Sequence, residues 1–385
     1  MVYELSSQNW GREELDAIDR VVRSGRFTMG TEVRRFEEAF ASKLGVSHAV
    51  MVNSGSSANL VGVAALFHAG TRPLQRGDEV IVPAISWATT FHPLQQYGLR
   101  LRFVDVDLET LNMDVSKLEA ALTPKTRMLV AVSVLGNPAR LDVMRAFCDR
   151  HGLILFEDNC ESMGARLNGR ACGTFGDIGT FSTFFSHHLS TMEGGVLVTE
   201  NREIADLARA IRNHGWARDV PKDSPLAKPA TDPFFEAYRF VVPGYNVRPL
   251  EIEAAIGVEQ LRKLDRMLAI RRANGARFVE MFGRDDRIII QRETGESSWF
   301  SFTIILKEGM NRARVMDAMR VAGIEFRMIT GGCFLRHEAI RFFDYDTVGD
   351  IVNANVAHDL GFFVGNYPRD LTAELASLRD VLDSV

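Results

Sequence analysis

Residues 47–70 decide the fold; they read SHAVMVNSGSSANLVGVAALFHAG. An apolar run at 48–52 is followed by a turn at Gly55 and then by apolar residues at three- and four-residue spacing. This pattern predicts a strand, a tight turn and a helix in direct succession. Ser56 lies at the predicted helix start, where an amide and a hydroxyl can face an anion. A serine-capped helix after a glycine turn is the alternative interpretation.

The same unit recurs as far as about residue 200. Six further apolar runs follow, namely EVIVP, LRFVDV, RMLVAVSV, LILFED, IGTFST and GVLVT, with helical segments between them. Strands that alternate with helices predict a mainly parallel, seven-stranded sheet with helices on both faces. Such α/β sheets place their ligands at the carboxyl ends of the strands.

The pattern changes after residue 248. A helical stretch over 249–282 precedes the runs RIIIQ and SSWFSFTIIL, a helix near 311–322 and the run IEFRMI. We therefore predict a large α/β domain at 1–248, which includes the N-terminal segment, and a smaller α+β domain at 249–385. A stretch rich in proline and charge at 217–235 reads as a long loop, and loops of this length are often functional.

The composition disfavours two classes of binding partner. The 385 residues are 46% hydrophobic and 25% charged, with a formal net charge of -5, so a nucleic acid or an anionic membrane is disfavoured as a partner. The opening MVYELSSQNW lacks a basic segment followed by an apolar one, and no apolar run is long enough to span a bilayer. We expect a cytoplasmic protein with small-molecule partners.

The four cysteines are too scattered for a disulfide framework, and no two of them form a CxC or CxxC pair. A zinc or iron-sulfur site would have to be assembled from distant segments. We therefore expect reduced thiols and no metal.

Two further motifs follow predicted strands. FEDNCE, residues 156–161, places Asp158 at a strand end, where it can pair with a protonated ring nitrogen of a cofactor or simply cap a helix. ISWATT, residues 85–90, places Trp87 where its face can stack on a ring, although a core tryptophan is the default interpretation.

Residues 180–195 read TFSTFFSHHLSTMEGG and carry two adjacent histidines, His187 and His188. These can form part of a metal site or be two buried imidazoles. Because neighbouring side chains seldom converge on one ion, the sequence disfavours the metal site.

Together and in this order, the four segments resemble the sugar aminotransferase family of the type I pyridoxal-phosphate (PLP) fold, over essentially the whole chain. The resemblance implies an aspartate-aminotransferase-like fold. The family motif is F-S-x-x-x-x-K-N, and its lysine forms a Schiff base with the cofactor. Counting five residues from Ser182 gives His187, and all seven lysines lie outside the motif. An imidazole can accept and donate protons as the lysine does, but it cannot form the Schiff base with the cofactor.

Histidine at this place marks the family's 3-dehydratases of nucleotide-linked 4-keto-6-deoxy sugars. One group of them carries a [2Fe-2S] cluster on a closely spaced C-x-C, which is absent here. Segments such as SWATTFHPLQQYGLR, EDNCESMGA and VPGYNVRPLE resemble the cluster-free group of colitose and O-antigen synthesis. This implies GDP-4-keto-6-deoxy-D-mannose as substrate, non-covalently bound PLP or its amine form PMP, and L-glutamate to restore PMP while ammonia is released.

The resemblance also implies roles for single residues. His187 would be the catalytic acid/base, and Asp158 would pair with the pyridine nitrogen. Trp87 would stack on the ring and Glu161 would lie near its hydroxyl. The phosphate would be held by Gly55, Ser56 and Ser182.

Asn246, in the motif GYNVRP, would reach the phosphate of the neighbouring subunit, which implies a homodimer with shared active sites. His214 and Arg218, in NHGWARD, are candidates for gripping the substrate diphosphate, and a solvated loop is the equal alternative.

Three rival functions remain open. An ordinary sugar aminotransferase is disfavoured by the missing lysine, and a cluster-dependent CDP-4-keto-6-deoxyglucose 3-dehydratase by the cysteine spacing. A non-catalytic relative that binds PLP is the third. Turnover of a 4-keto sugar nucleotide with glutamate would rule out the non-catalytic relative.

Overall fold

The structure is a computed structural model and describes residues 2–228 and 232–385. Its strands are β1 His48–Val52, β2 Glu79–Pro83, β3 Arg100–Val104, β4 Thr126–Val132, β5 Ile154–Asp158, β6 Arg166–Leu167, β7 Arg170–Ala171, β8 Ile178–Ser182, β9 Gly195–Thr199, β10 Ile288–Ile290, β11 Ser301–Leu306, β12 Phe326–Arg327, β13 Tyr345–Thr347 and β14 Gly361–Gly365. Its helices are α1 Arg12–Ser24, α2 Thr31–Leu44, α3 Gly55–Leu66, α4 Ala88–Gln96, α5 Leu118–Ala121, α6 Leu141–His151, α7 Arg202–Arg212, α8 Pro233–Glu236, α9 Glu251–Phe282, α10 Arg312–Val321, α11 Asn353–Leu360 and α12 Thr372–Asp383.

The large sheet contains all seven predicted strands, in the order β1-β9-β8-β5-β4-β2-β3. Only β9 runs antiparallel to its neighbours, so the mainly parallel sheet is confirmed. The sheet has one strand more than predicted, because β13 pairs in parallel with β3 at the edge. β13 has only three residues, Tyr-Asp-Thr, and carries no apolar run that would mark a strand.

The carboxyl ends of three strands meet at one edge of this sheet. Val52 of β1 and Ser182 of β8 both lie opposite Gly195 of β9. β5 pairs in parallel with β8, with Asp158 opposite Thr180. This edge therefore gathers the turn after β1, Asp158 and Ser182, as expected for the ligand edge of an α/β sheet.

The C-terminal part contains the predicted helices, observed as α9 and α10, and a four-stranded antiparallel sheet of order β10-β11-β14-β12. An aromatic core fills it, with the rings of Phe278 and Phe302 stacked at 4.6 Å. Tyr3 completes this core from the other end of the chain, since its hydroxyl donates to the Gly365 carbonyl at 2.6 Å. Two features span the division that we propose at residue 248. Tyr3, from the N-terminal segment, packs in the C-terminal core, and β13, from the C-terminal part, pairs with β3 of the large sheet.

The loop predicted at 217–235 lies partly outside the described residues. Its described parts form short turns at Ala217–Asp219 and Pro225–Ala227 and the start of α8. Within the described parts of the chain, no helix combines the length and apolar character needed to cross a bilayer.

Candidate functional site

Asp158 is a buried carboxylate at the end of β5 whose orientation is fixed from three directions. Its Oδ2 accepts hydrogen bonds from Asn59 Nδ2 at 2.8 Å and from Thr90 Oγ1 at 2.7 Å. Its Oδ1 accepts from the Cys160 amide at 3.1 Å. Asn59 lies on α3 and Thr90 on α4, so two helices aim this carboxylate.

A cradle of backbone amides lies beside Asp158. Gly55 opens α3, and a Cβ atom there would lie 2.6 Å from Ser182 Cβ and 2.8 Å from Cys160 Sγ, so only glycine fits. The hydroxyls of Ser56 and Thr89 share a hydrogen bond of 2.7 Å, which joins the first turns of α3 and α4. The N-termini of two helices therefore converge, an arrangement suited to an anion.

Trp87 is the residue that precedes α4, and its side chain is 59% exposed. This exposure excludes the interpretation of Trp87 as a core residue. Its indole therefore stands free, two residues from Thr89 of the cradle, with a face on which a planar ring can stack.

His187 lies in the loop between β8 and β9. Its ring meets two phenyl rings edge to face, Phe300 at 5.0 Å and Phe184 at 5.7 Å between centroids. Its Nδ1 is buried and has no hydrogen-bond partner among the described residues. Burial, aided by the charge of Arg271, lowers the pKa of His187 to about 3. The imidazole is therefore neutral near pH 7 and able to accept a proton.

His188 is buried in the protein, and its ring meets Phe300 at 5.5 Å between centroids. Its Nε2 bonds to the Ser298 carbonyl at 3.1 Å, and burial lowers its pKa well below the usual value. Among residues 2–228 and 232–385, no group of three or more histidine, cysteine or acidic side chains is arranged to hold a metal. The absence of an iron-sulfur cluster itself stays a prediction.

Glu161 lies beyond Asp158 and joins the two parts of the chain. Its Oε2 accepts from the Leu135 amide at 3.0 Å and from Thr330 Oγ1 at 3.2 Å. Burial, together with the negative charge of Asp158, raises the pKa of Glu161 to about 7. A carboxyl with such a pKa is partly protonated near neutral pH, and in that form it can donate a hydrogen bond to an oxygen of a ligand.

Sequence reasoning missed Asn59, Thr89, Thr90 and Thr330. The first three lie in motifs that were noted for other residues. Asn59 could have been found, because it is a polar residue in the otherwise apolar helix α3, where it is buried. Thr330 could not be found this way, because it comes from the C-terminal part of the chain and contacts Glu161 only after folding.

The remaining candidates lie apart from the cradle or at its border. The residue His214 is exposed, and its backbone is in the left-handed region, with φ 63°. Arg218 lines a groove of about 510 Å³ that reaches His48. His48 is the first residue of β1, so this groove lies at the end of β1 opposite to the cradle. Asn246 is exposed, and its neighbour Val247 accepts a hydrogen bond from the Asn53 amide at 3.0 Å. Their roles stay predictions.

Comparison with known proteins gives the chain its relatives. The model of the DegT/DnrJ/EryC1/StrS aminotransferase family matches residues 8–376. The chain is 48% identical to GDP-4-keto-6-deoxy-D-mannose 3-dehydratase of Yersinia pseudotuberculosis, over 99% of this chain and 98% of the relative. Two solved structures of GDP-4-keto-6-deoxy-D-mannose 3-dehydratase are each 46% identical, with a TM-score of 0.96.

One of these structures, from Escherichia coli, holds hydrated PLP and covers 99% of both chains. The other holds a trapped PLP-glutamate geminal diamine and covers 99% of this chain and 100% of its own. Family model, sequence identity and structural likeness agree over nearly the full length. The chain belongs to the DegT/DnrJ/EryC1/StrS aminotransferase family.

Proposed function

We propose that this protein removes the C3 hydroxyl of a nucleotide-linked 4-keto-6-deoxy sugar with the help of PLP in its amine form, PMP. The substrate is GDP-4-keto-6-deoxy-D-mannose and the amino donor is L-glutamate. One observation carries the proposal: a neutral imidazole, His187, stands at the position of the family's lysine, on the loop that follows Ser182 of the cradle. The names and ligands of the relatives support it.

The residues of the site fit PLP. The converging starts of α3 and α4 suit its phosphate, with Gly55, Ser56 and Ser182 around it. Asp158 suits the protonated pyridine nitrogen, and Trp87 offers a face for the ring. When bound in its amine form, the cofactor supplies an amino group for the C4 ketone of the sugar and a conjugated ring that takes up electrons.

The protein's own residues supply proton transfer and orientation. The His187 imidazole would accept a proton from the cofactor carbon that bears the amino group and, once charged, would donate it to the oxygen that leaves C3 of the sugar, so that this oxygen departs as water. Glu161, which is partly protonated near neutral pH, donates in that form a hydrogen bond to the hydroxyl of the cofactor ring. Asn59 and Thr90 keep Asp158 aimed at the ring nitrogen.

The proposal includes a homodimer with shared sites, in which Asn246 reaches the phosphate of the partner. Phe184, which contacts His187, and its neighbour Phe185 are 37% and 49% exposed. Exposed aromatic side chains beside a site suit cover by a second chain. We also place the protein in the cytoplasm, in keeping with its free thiols.

Ammonia release tests the function. Purified protein with PMP and L-glutamate is given GDP- or CDP-linked 4-keto-6-deoxy sugar, with a chelator and without a reductase. We expect ammonia and a 3-deoxy sugar, faster with the GDP substrate. A 4-amino sugar without ammonia would identify an aminotransferase instead. Dependence on iron and a reductase would identify the cluster-dependent reaction, and no turnover with any substrate a non-catalytic relative.

A further inference from the structure

His187 lacks the usual means of orienting a catalytic imidazole. Such rings are commonly held by a hydrogen bond to the second nitrogen. The Nδ1 of His187 is buried without such a bond to any described residue. The ring edges of Phe300 and Phe184 touch it instead, at interplanar angles of 74° and 84°. Phe184 belongs to the same loop, so the orientation of the base relative to the rest of the fold depends on Phe300.

Phe300 is fixed by an unusual run of backbone, residues 298–300, just before β11. Trp299 is left-handed, with φ 48°, and residues 298–300 lie outside the paired register of β11. A buried side chain from another segment bonds to each carbonyl. The pairs are His188 Nε2 with Ser298 O at 3.1 Å, Asn366 Nδ2 with Trp299 O at 2.7 Å, and Arg271 Nη1 with Phe300 O at 3.2 Å.

The same run is tied to the cofactor side of the site. The Phe300 amide donates to the Leu135 carbonyl at 3.1 Å, and the Leu135 amide donates to Glu161 at 3.0 Å. Leu135 is also left-handed, with φ 52°. Strained residues of this kind persist only where their surroundings hold them, and they cluster at functional sites. Backbone contacts therefore connect Glu161 to the ring that touches His187.

Arg271, on α9, is buried, and within residues 2–228 and 232–385 its side chain bonds only to the carbonyls of Phe300 and Asn366. No carboxylate of the described residues lies within ion-pair distance of it, and its Nε has no partner there. The run 297–300 carries no ionisable side chain, and His188 is neutral. The charge of Arg271 adds to burial in lowering the pKa of His187.

We propose that Arg271 and Phe300 are positioning residues for His187. Arg271 fixes the Phe300 carbonyl and thereby the ring edge that orients the imidazole, and its unpaired positive charge disfavours a protonated imidazole in the resting site. The inference rests on the proposed function only in taking His187 as the base.

The orienting role is tested with Phe300→Leu, which keeps an apolar side chain but loses the ring edge. An edge-to-face aromatic pair contributes about 0.5–1.5 kcal/mol. At 1.36 kcal/mol per tenfold, we expect kcat to fall about 2- to 12-fold with KM unchanged. Phe326→Leu is the matched control, because Phe326 is also half-buried and also meets a ring edge to face, that of Phe362, yet has no described contact with the His187 loop.

The electrostatic role is tested with Arg271→Met and the conservative Arg271→Lys. The readout is the ring-carbon NMR signal of His187 in the purified protein, assigned by its loss in His187→Asn and followed against pH. We expect the titration midpoint of His187 to rise by about one pH unit in Arg271→Met, since a repelling charge has been removed, and by less than about half a unit in Arg271→Lys. Phe300→Leu should broaden the signal without moving the midpoint.

These measurements separate failure of the inference from failure of the proposed function, because the NMR titration needs no turnover. An unmoved His187 midpoint in a folded Arg271→Met protein would overturn the electrostatic role. An unchanged His187 signal and kcat in Phe300→Leu would overturn the orienting role. Should Arg271→Met fail to fold, Phe300→Leu still decides the orienting role, since it leaves every hydrogen bond of the run in place. A midpoint that moves by more than about half a unit in Arg271→Lys, which keeps the charge, would count against the electrostatic role.

Discussion

Gly55 and Ser182 approach so closely that a Cβ atom on Gly55 would lie 2.6 Å from Ser182 Cβ. Gly55→Ala must therefore push the start of α3 away from the end of β8. We expect weaker cofactor binding, measured by equilibrium dialysis of PLP. Gly62→Ala is the control in the same helix, because its Cβ would meet Phe156 at 2.8 Å in the core. It should lower the melting temperature without a specific loss of PLP affinity, and equal PLP affinity in both variants would contradict the cradle.

His187→Asn should keep the fold and bind cofactor yet lose dehydration, because an amide cannot accept and return a proton near neutral pH. Loss of general acid/base catalysis typically costs about 10²- to 10⁴-fold, and one group serving two transfers should reach the upper end. Turnover measured as ammonia release checks this. His188→Asn loses the bond to Ser298 and should mainly affect packing. A dead His188 variant beside a His187 variant with more than a tenth of normal turnover would reverse their roles.

The cofactor should be held without a covalent bond, because none of the seven lysines stands at position 187. Borohydride treatment followed by peptide mass mapping should find no pyridoxyl-lysine in the wild type. His187→Lys is the positive control, since its amine should bond to the cofactor and be found as the pyridoxyl derivative, with dehydration lowered. A near-stoichiometric adduct on any native lysine would contradict this prediction.

Shared sites predict complementation between two inactive variants. If Asn246 serves the partner's phosphate, a mixed dimer of His187→Asn and Asn246→Ala contains one site in which both residues are intact. Mixing the two after partial unfolding and refolding should restore activity, measured as ammonia release above that of either variant alone. If both residues act within one chain, every site keeps a defect and no activity returns.

Burial raises the pKa of Glu161 to about 7 from an ordinary value of 4.5. A carboxyl with a raised folded-state pKa stabilises the fold below its unfolded pKa, and this contribution is lost as the pH rises through the folded value. Glu161→Gln keeps an acceptor oxygen for Leu135 and Thr330 but cannot ionise. Its melting temperature relative to the wild type, measured without cofactor, should therefore be higher at about pH 8 than at about pH 5. A difference that does not change with pH would contradict the raised pKa.

The sequence predicts the seven long strands because each contains a short apolar run, and most residues of these strands are buried in the mainly parallel sheet. Asp158 and Ser182 could be placed for the same reason, since each ends such a strand. The approach of residues 298–300 to His187 could not be predicted. It depends on left-handed backbone at Trp299 and Leu135, which the residue types themselves disfavour.

The long-range partners of residues 298–300 could not be predicted from the sequence either. Asn366 and Arg271 hold the run at 298–300 through bonds that no local spacing encodes. The resemblance to the family identified the residues around the cofactor, whereas the packing that orients the base had to come from the folded chain.

The eighth strand has a consequence for how the chain is made. β3 leaves the ribosome long before β13 exists, so its outer row of amides and carbonyls faces solvent until Tyr345–Thr347 arrive. An uncovered strand edge invites pairing with other chains. A chain whose main sheet formed before β13 was made would therefore pass through a stage open to self-association. Any shortened chain that stops before Tyr345 would be left permanently at that stage.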